Sequence, residues 1–445
     1  MSAHPSAAIE PAAESAEGWL EDAGGFPRAL AARTLAGSGW ALLTLALAMG
    51  AGLARTVVVA RLVGPHELGL MGVALLALGA VEACTATGVE TALVTRRGDV
   101  AGELDAAFTL QAARGVLLAA ALWLAAPLAG SVFAAPGAAP LVRALGAVAV
   151  LRGLANPAVA VVMRRIDFAR LFWWSLPEAA VGLVVAVGVA VVRHDAWALV
   201  AGAAAAQAAA TAASYAVLPR RPRLSLAGAG RLLGYGKWVG GSRLLMFLSL
   251  SADNALVGRL LGVGALGLYQ LAFRLGELSV VTATRAGLQA ALPAFTALGG
   301  GPRLRAGFRA VLGAVAAVNA AYAALVLLLA GPVLRRALGD AWLPAVPALR
   351  ILVVAMVFRG IVVVASELFH AAGRPGLTLQ ANAVRLAVLL AAILPLMRSR
   401  GLEGVAVAVL LSTVAAAALS LLRARRVVAA PAAGRGPRDF DRLLA

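Results

Sequence analysis

Arg61-Leu62-Val63-Gly64-Pro65-His66-Glu67-Leu68-Gly69-Leu70 is the stretch that decides the fold. It has an echo about 198 residues later, Arg259-Leu260-Leu261-Gly262-Val263-Gly264-Ala265-Leu266-Gly267-Leu268. In each copy a long apolar run precedes the motif and another follows it. Each copy is therefore a tight turn between the first two membrane helices of a half. Self-similarity at a fixed offset, at an equivalent place in the topology, points to a duplicated helix bundle.

Outward from the two turns, the rest of the chain has the same character. Apolar residues make up 62% of it and charged residues 13%. A soluble domain carries roughly 25% charged residues. The apolar residues fall in runs long enough to cross a hydrocarbon core of about 30 Å. Run length and flanking breakers give about twelve spans. They lie near residues 38–62, 67–94, 107–133, 139–163, 171–193, 196–218, 236–261, 265–292, 307–334, 343–371, 375–397 and 401–424.

The net charge of +18 does not indicate nucleic acid. Lys237 is the one lysine, and the arginines sit singly or in short clusters at the ends of apolar runs. That is the positive-inside pattern. One face collects Arg28 and Arg33, Arg96 and Arg97, Arg164, Arg165 and Arg170, Arg220, Arg221, Arg223 and Arg231. It also collects Arg303, Arg305 and Arg309, then Arg374, and last Arg423, Arg425 and Arg426. The opposite face has fewer: Arg61, Arg143, Arg193, Arg259, Arg335, Arg336, Arg398 and Arg400. Both termini are therefore expected in the cytoplasm, in the inner membrane of the cell.

The expected organisation has five parts. Residues 1–33 form an acidic cytoplasmic tail ending in a short amphipathic helix. This segment lacks the basic start and short apolar core of a signal peptide. Residues 34–218 form an N-lobe, 219–235 a basic linker, 236–424 a C-lobe and 425–445 a second tail. The expected fold is an all-α membrane protein, its twelve or so helices in two pseudo-symmetric six-helix lobes around a central cationic cleft. The single Cys84 excludes an internal disulfide and is expected to be a small buried residue.

Charge inside the bilayer marks the candidate site, because each such charge costs at least about 2.5 kcal/mol and needs a cavity or a partner. Arg55 lies in span one, Glu82 in two, Arg152 in four and Glu178 in five. Asp253 lies in span seven, Arg274 and Glu277 in eight, Arg359 and Glu367 in ten, and Arg385 in eleven. Arg114, Lys237, Arg243 and Arg285 are nearer the ends and can snorkel. The repeat offset makes Asp253 equivalent to Arg55, so the two are expected to pair across the cleft. Arg274 and Glu277 share a helix face and can neutralise each other. Arg152-Gly153 and Arg359-Gly360 are a further echo, one arginine deep in the fourth span of each lobe. Arg55, Arg152, Arg274, Arg359 and Arg385 around one cleft make a cationic chamber. Arginine suits phosphate because its planar fork donates several hydrogen bonds and stays charged. Asp253, Glu277, Glu82 and Glu367 are candidates for ion coupling or charge pairing. Arg61 and Arg259, beside the turns, are expected to anchor headgroups. Asn156-Pro157, Pro177 and Pro293 can bend helices.

His4, His66, His194 and His370 form no metal constellation, and no metal or other cofactor is expected. The sequence has no GxxxxGK[ST], GxSxG or HExxH pattern, so no site for hydrolysing ATP is expected.

With these residues in view, the chain resembles the oligosaccharide/polysaccharide flippases (Wzx-like) of the multidrug/oligosaccharidyl-lipid/polysaccharide exporter superfamily. The resemblance is carried by Ala60-Arg61-Leu62-Val63-Gly64-Pro65 with Leu68-Gly69-Leu70, and by Gly88-Val89-Glu90-Thr91-Ala92-Leu93-Val94. It continues in Met163-Arg164-Arg165-Ile166-Asp167-Phe168 and in Asp253-Asn254-Ala255-Leu256-Val257-Gly258 running into Leu266-Gly267-Leu268-Tyr269. Leu292-Pro293-Ala294-Phe295 closes span eight. The resemblance implies two lobes working by alternating access, with no covalent chemistry. It implies a polyprenyl-pyrophosphate-linked oligosaccharide as substrate, moved to the outer leaflet for polysaccharide biosynthesis. Membrane lipid and other polysaccharide-assembly membrane proteins are the implied partners.

Four other readings compete, and the number of intramembrane charges argues against one of them, a non-transporting scaffold. A multidrug exporter of the same superfamily should have an acidic, aromatic-rich site, whereas the deep charge here leans basic and aromatics are 5%. A flippase for a lipid-linked peptidoglycan precursor is expected to have more spans. A membrane glycosyltransferase or polymerase needs a sizeable extramembrane loop, and no connection here is long enough.

Overall fold

The computed structural model describes residues 26–86, 88–89, 103–159, 168–217, 221–298 and 301–429. Expectations for the first 25 residues, for 90–102, 160–167 and 430–445, and for the side chains of Lys237 and Arg285, lie outside the described residues.

The described chain is helical, with no strand among the described residues. The first half contains α1 (Phe26–Val63), α2 (Pro65–Cys84), α3 (Leu104–Val132), α4 (Ala138–Gly153), α5 (Phe168–Arg193) and α6 (Trp197–Val217). The second contains α7 (Ala229–Leu260), α8 (Val263–Leu298), α9 (Pro302–Ala337), a 3₁₀ turn (Asp340–Ala345) and α10 (Val346–Ala371). The last helical stretch, Gly376–Ala429, is broken at Gly401 (φ 56°, ψ −129°) into α11 (376–400) and α12 (402–429). Each expected span overlaps one of these helices, but spans 67–94 and 139–163 reach past the ends of α2 and α4. Seven helical stretches among the described residues are long and apolar enough to cross a membrane.

The two echoed turns have the same geometry. Gly64 and Gly262 adopt φ of 85° and 88°. A positive φ crowds an L side chain against the backbone, so glycine is favoured at both positions. The Gly64 carbonyl accepts from the Leu68 amide at 3.2 Å, and the Gly262 carbonyl from Leu266 at 3.1 Å. Gly64→Ala and Gly262→Ala are each expected to destabilise the protein by about 1–2 kcal/mol, read as a lowered Tm in detergent.

Those turns lie at one end of the bundle, where the halves meet. A Cβ added to Gly69 of α2 would overlap the Val263 carbonyl of α8, and one added to Gly267 would overlap the Pro65 carbonyl. The contact is reciprocal. Residues 69 and 267, like 65 and 263, are equivalent under the repeat, so a pseudo-two-fold axis passes between α2 and α8. Lipid supplies little hydrophobic drive between helices, so glycines that let backbones touch are an effective way to join them. Gly72 extends the seam, its face filled by the Gln270 amide.

The same end carries two further ties between the halves. Arg61 Nη1 donates to the carbonyls of Arg336 and Ala337, at 2.6 and 2.9 Å. The expected headgroup anchor therefore instead caps the last turn of α9, where orphan carbonyls and the helix dipole favour a cation. Trp342 Nε1, fully buried, donates to the Ala60 carbonyl at 3.1 Å. The main core is continuous across both halves here, including Leu70, Leu141, Leu266, Trp342 and Leu349. A second core, with Phe295, Phe308, Leu368 and Phe369, belongs to the second half alone.

Three details differ from the sequence reading. Asn156-Pro157 ends α4 rather than bending it. Proline disfavours helix at the residue before it, and Asn156 uses its Oδ1 to accept the Ala158 amide while its own amide goes to Ser214 Oγ. The last residues of the linker are already helical, because α7 begins at Ala229. Its Arg223 and Ser225 amides bond Asp105 and Thr109, so it lies as a strap across the start of α3. Cys84 is exposed, not buried, in the last turn of α2.

Candidate functional site: a chain of intramembrane charges

The deep charges come together in a connected network between the halves. In the first half, Arg152 of α4 donates from Nη1 to Glu82 Oε1 of α2 at 2.7 Å, and from Nε to Gln207 Oε1 of α6 at 3.4 Å. Half of the Arg152 side chain stays exposed, 51% against 29% for Glu82. Glu178 of α5 feels both Arg152 and Arg55 electrostatically. Arg55 and Glu178 line a cavity of about 160 Å³ between α1 and α5, with Gly52 and Ser175.

The network crosses to the second half at Arg274 of α8. Its guanidinium lies 3.8 Å from where a Gly52 Cβ would be, where it is repelled by Arg55 and attracted by Glu277. Glu277 in turn holds Arg359 of α10, Nη2 to Oε1 at 3.3 Å. Arg385 of α11 donates to the Ser249 carbonyl of α7 at 3.1 Å and interacts with Arg359 and Asp253. Asp253 is buried. It accepts from Tyr269 Oη at 2.7 Å and from the Asn254 amide and side chain at 2.8 and 3.0 Å.

One pairing read from the sequence, Arg55 with Asp253, is not found, and the other is shared. Asp253 is met by Tyr269 rather than by Arg55, because Arg55 sits with Glu178 and Arg274. Glu277 bonds Arg359 on the facing α10 and also attracts Arg274, three residues away on its own helix. Glu367 is half-buried on α10 and joins none of these contacts. Glu82, Glu178, Asp253 and Glu277 lie among the five arginines as ion-pair or electrostatic partners. The chamber is therefore close to charge-balanced, with one positive charge in excess, rather than strongly cationic.

The halves use one design. In each, an arginine on the fourth helix is held by a glutamate on the second: Arg152 by Glu82, Arg359 by Glu277. In each, the following glycine is packed onto the third helix. A Cβ on Gly153 would press the Gln111 carbonyl, and one on Gly360 the Asn319 amide. The glycine brings the helices close and so fixes how far the arginine reaches. Tyr269→Phe is expected to lower stability by about 1–3 kcal/mol, because it leaves the buried Asp253 carboxylate one donor short. Thermal unfolding in detergent would check this.

The sequence matches the family described as "Polysaccharide biosynthesis protein" over residues 58–347. The chain belongs to that family. As a polysaccharide biosynthesis protein it is 22% identical over 387 residues to "Lipopolysaccharide biosynthesis protein WzxC" of Escherichia coli (strain K12). That match covers 85% of this chain and 78% of that protein. It is 25% identical over 242 residues to "Succinoglycan biosynthesis transport protein ExoT" of Rhizobium meliloti (strain 1021), covering 54% and 49%.

The fold of this polysaccharide biosynthesis protein is that of known transporters. It superposes on an inward-facing multidrug resistance MATE family transporter of the MOP superfamily with TM-score 0.67 and 18% identity, covering 87% of this chain and 98% of that one. The lipid II flippase MurJ in an inward closed conformation gives 0.67 at 11% identity, covering 86% and 87%. An outward-facing MATE transporter gives 0.58 at 19% identity, covering 86% and 93%. The resemblance drawn from the sequence motifs is thereby established at the level of family and fold, and the chain is a multi-pass membrane protein.

Three members of the network were not singled out as site residues from sequence. Gln207 is a lone amide in an alanine-rich run, and Tyr269 closes the second Leu-Gly-Leu motif. Glu178, a carboxylate in mid-span, carried the same signal as Glu82.

Proposed function

We propose that this protein moves a polyprenyl-pyrophosphate-linked oligosaccharide from the cytoplasmic to the outer leaflet of the inner membrane, by alternating access of two six-helix lobes. The observation that carries the reading is the pair of carboxylate-held arginines, Arg152 and Arg359, placed alike in the two halves, with Arg55 and Arg274 adding positive charge between them. A pyrophosphate offers several charged oxygens in the geometry a guanidinium fork fits. It would displace Glu82 and Glu277 from their arginines, so the empty chamber is neutralised by carboxylates and the loaded one by substrate. The freed carboxylates, with Asp253 and Glu367, are where a coupling ion would act. The relatives named for lipopolysaccharide and succinoglycan biosynthesis support the same direction.

The lobes are residues 34–218 and 236–424, joined by the 219–235 linker, with both tails cytoplasmic. On this orientation the sealed Gly64 end faces outward and the conformation is inward-facing, in keeping with the better superposition on inward-facing transporters. The protein carries out transport and no covalent chemistry.

The test is translocation in proteoliposomes. A polyprenyl-pyrophosphate oligosaccharide is placed in one leaflet and followed to the other, with a fluorescent organic cation as the rival substrate. The lipid-linked sugar alone is expected to move. Movement of the cation alone would make the protein a multidrug exporter and leave the arginines a structural role.

A further inference from the structure

A second cavity, about 300 Å³, opens between α2, α3 and α7. Ala77 and Ala80 of α2, Leu128 and Phe133 of α3, and Phe247 and Ala252 of α7 are among its walls, and Ser251 supplies the one polar side chain. Leu128 and Leu248 are 63% and 51% exposed, so the cleft opens to the lipid-facing surface.

Two of its walls are also walls of the charged network. At about 100° per residue, Phe247, Ser251 and Ala252 share one face of α7, while Ser249 and Asp253 lie on the other. Likewise Ala77 and Ala80 share a face of α2, with Glu82 on the opposite side. Where the two helices meet, the Phe247 ring packs on Gly79, only 2.6 Å from where a Cβ would sit. The Phe247–Gly79 contact thus joins two helices that each carry cavity wall on one side and a charged residue, Glu82 or Asp253, on the other.

We infer that this cleft holds the isoprenoid chain of the transported lipid beside its pyrophosphate, with the Phe247–Gly79 seam as the slot joining chain to head. The inference rests on the flippase reading. It adds the route of the tail: an amphiphile whose head enters the network must pass its chain out between helices. The α2–α7 seam has a charged residue on one side and apolar wall on the other.

Photo-cross-linking of the full-length protein in phosphatidylcholine nanodiscs tests it. One probe is a polyprenyl pyrophosphate with a diazirine near the head end of its chain. The other is phosphatidylcholine with a diazirine in an acyl chain. The polyprenyl probe is expected to label residues within 76–81 and 247–255, and unlabelled polyprenyl pyrophosphate to displace it. Ala252→Phe and Ala125→Leu fill the cleft from different helices. Each should suppress that labelling severalfold while the protein still elutes as a single species. Displaceable labelling confined to other helices overturns the cleft and leaves the flippase reading intact. So does equal, non-displaceable labelling of the cleft by the phosphatidylcholine probe. No displaceable binding of the polyprenyl probe anywhere overturns both.

Discussion

Arg152→Ala and Arg359→Ala proteins are expected to insert, fold and lose translocation of the lipid-linked oligosaccharide. Each guanidinium would supply at least two charge-assisted hydrogen bonds to the pyrophosphate, at about 1.5–3 kcal/mol each, which corresponds to a loss on the order of 100-fold or more. For Arg152→Ala the stability cost should be small by comparison. The Arg152–Glu82 pair is half open, and exposed pairs contribute about 0–1 kcal/mol. Transport and Tm should therefore separate, which they would not if the arginines only held helices together. The charge swap is the sharper form. Arg152→Glu with Glu82→Arg rebuilds an ion pair but puts the guanidinium on α2, away from the position matched by Arg359. Restored stability without restored transport is expected. Full recovery of transport would reduce the pair to a structural bridge and remove the chamber from the mechanism.

The sequence carried the arginines and the carboxylates of this site but not which pairs with which, and the reason is geometric. Spacing along a chain reports neighbours three or four residues apart. Glu82 and Arg152 are brought together by the crossing of α2 and α4, so spacing had no means of showing their 2.7 Å contact. The same limit made Arg274 and Glu277 a self-contained pair on paper. The repeat offset was more informative, within bounds set by the symmetry axis. Close to the axis equivalents touch, as Gly69 meets Val263 and Gly267 meets Pro65. Away from it they diverge. Arg55 on α1 and Asp253 on α7 are equivalent by number yet sit in different parts of the network, one with Glu178 and the other with Tyr269. The turns themselves were legible because a positive φ favours glycine at Gly64 and Gly262 wherever the chain lies. The function of Arg61 was not, since a cap on α9 requires knowing which helix ends beside it.

Gly69→Val and Gly267→Val should force the halves apart at the end where they are joined. Any Cβ at either position meets a backbone carbonyl, which cannot move aside as a side-chain tip can. Overpacking costs typically about 1–3 kcal/mol, and a backbone obstacle places these variants at or above the upper end. The seam should respond in accessibility as well as Tm. Val73 of α2, fully buried at this end, is expected to resist maleimide as Val73→Cys in a Cys84→Ala background. It should be labelled once Gly69→Val is added, with Arg61 and Trp342 drawn off α9 and Ala60. Transport should fall too, because a chamber that cannot be sealed at one end cannot alternate. The two glycines act on one contact, so their effects should not add. The first substitution separates α2 from α8, and the second then meets little. A Gly69→Val, Gly267→Val double variant should melt close to the worse single one. Strict additivity, or a single variant with parental Tm and transport, would mean that the reciprocal contact is not what holds the two halves together.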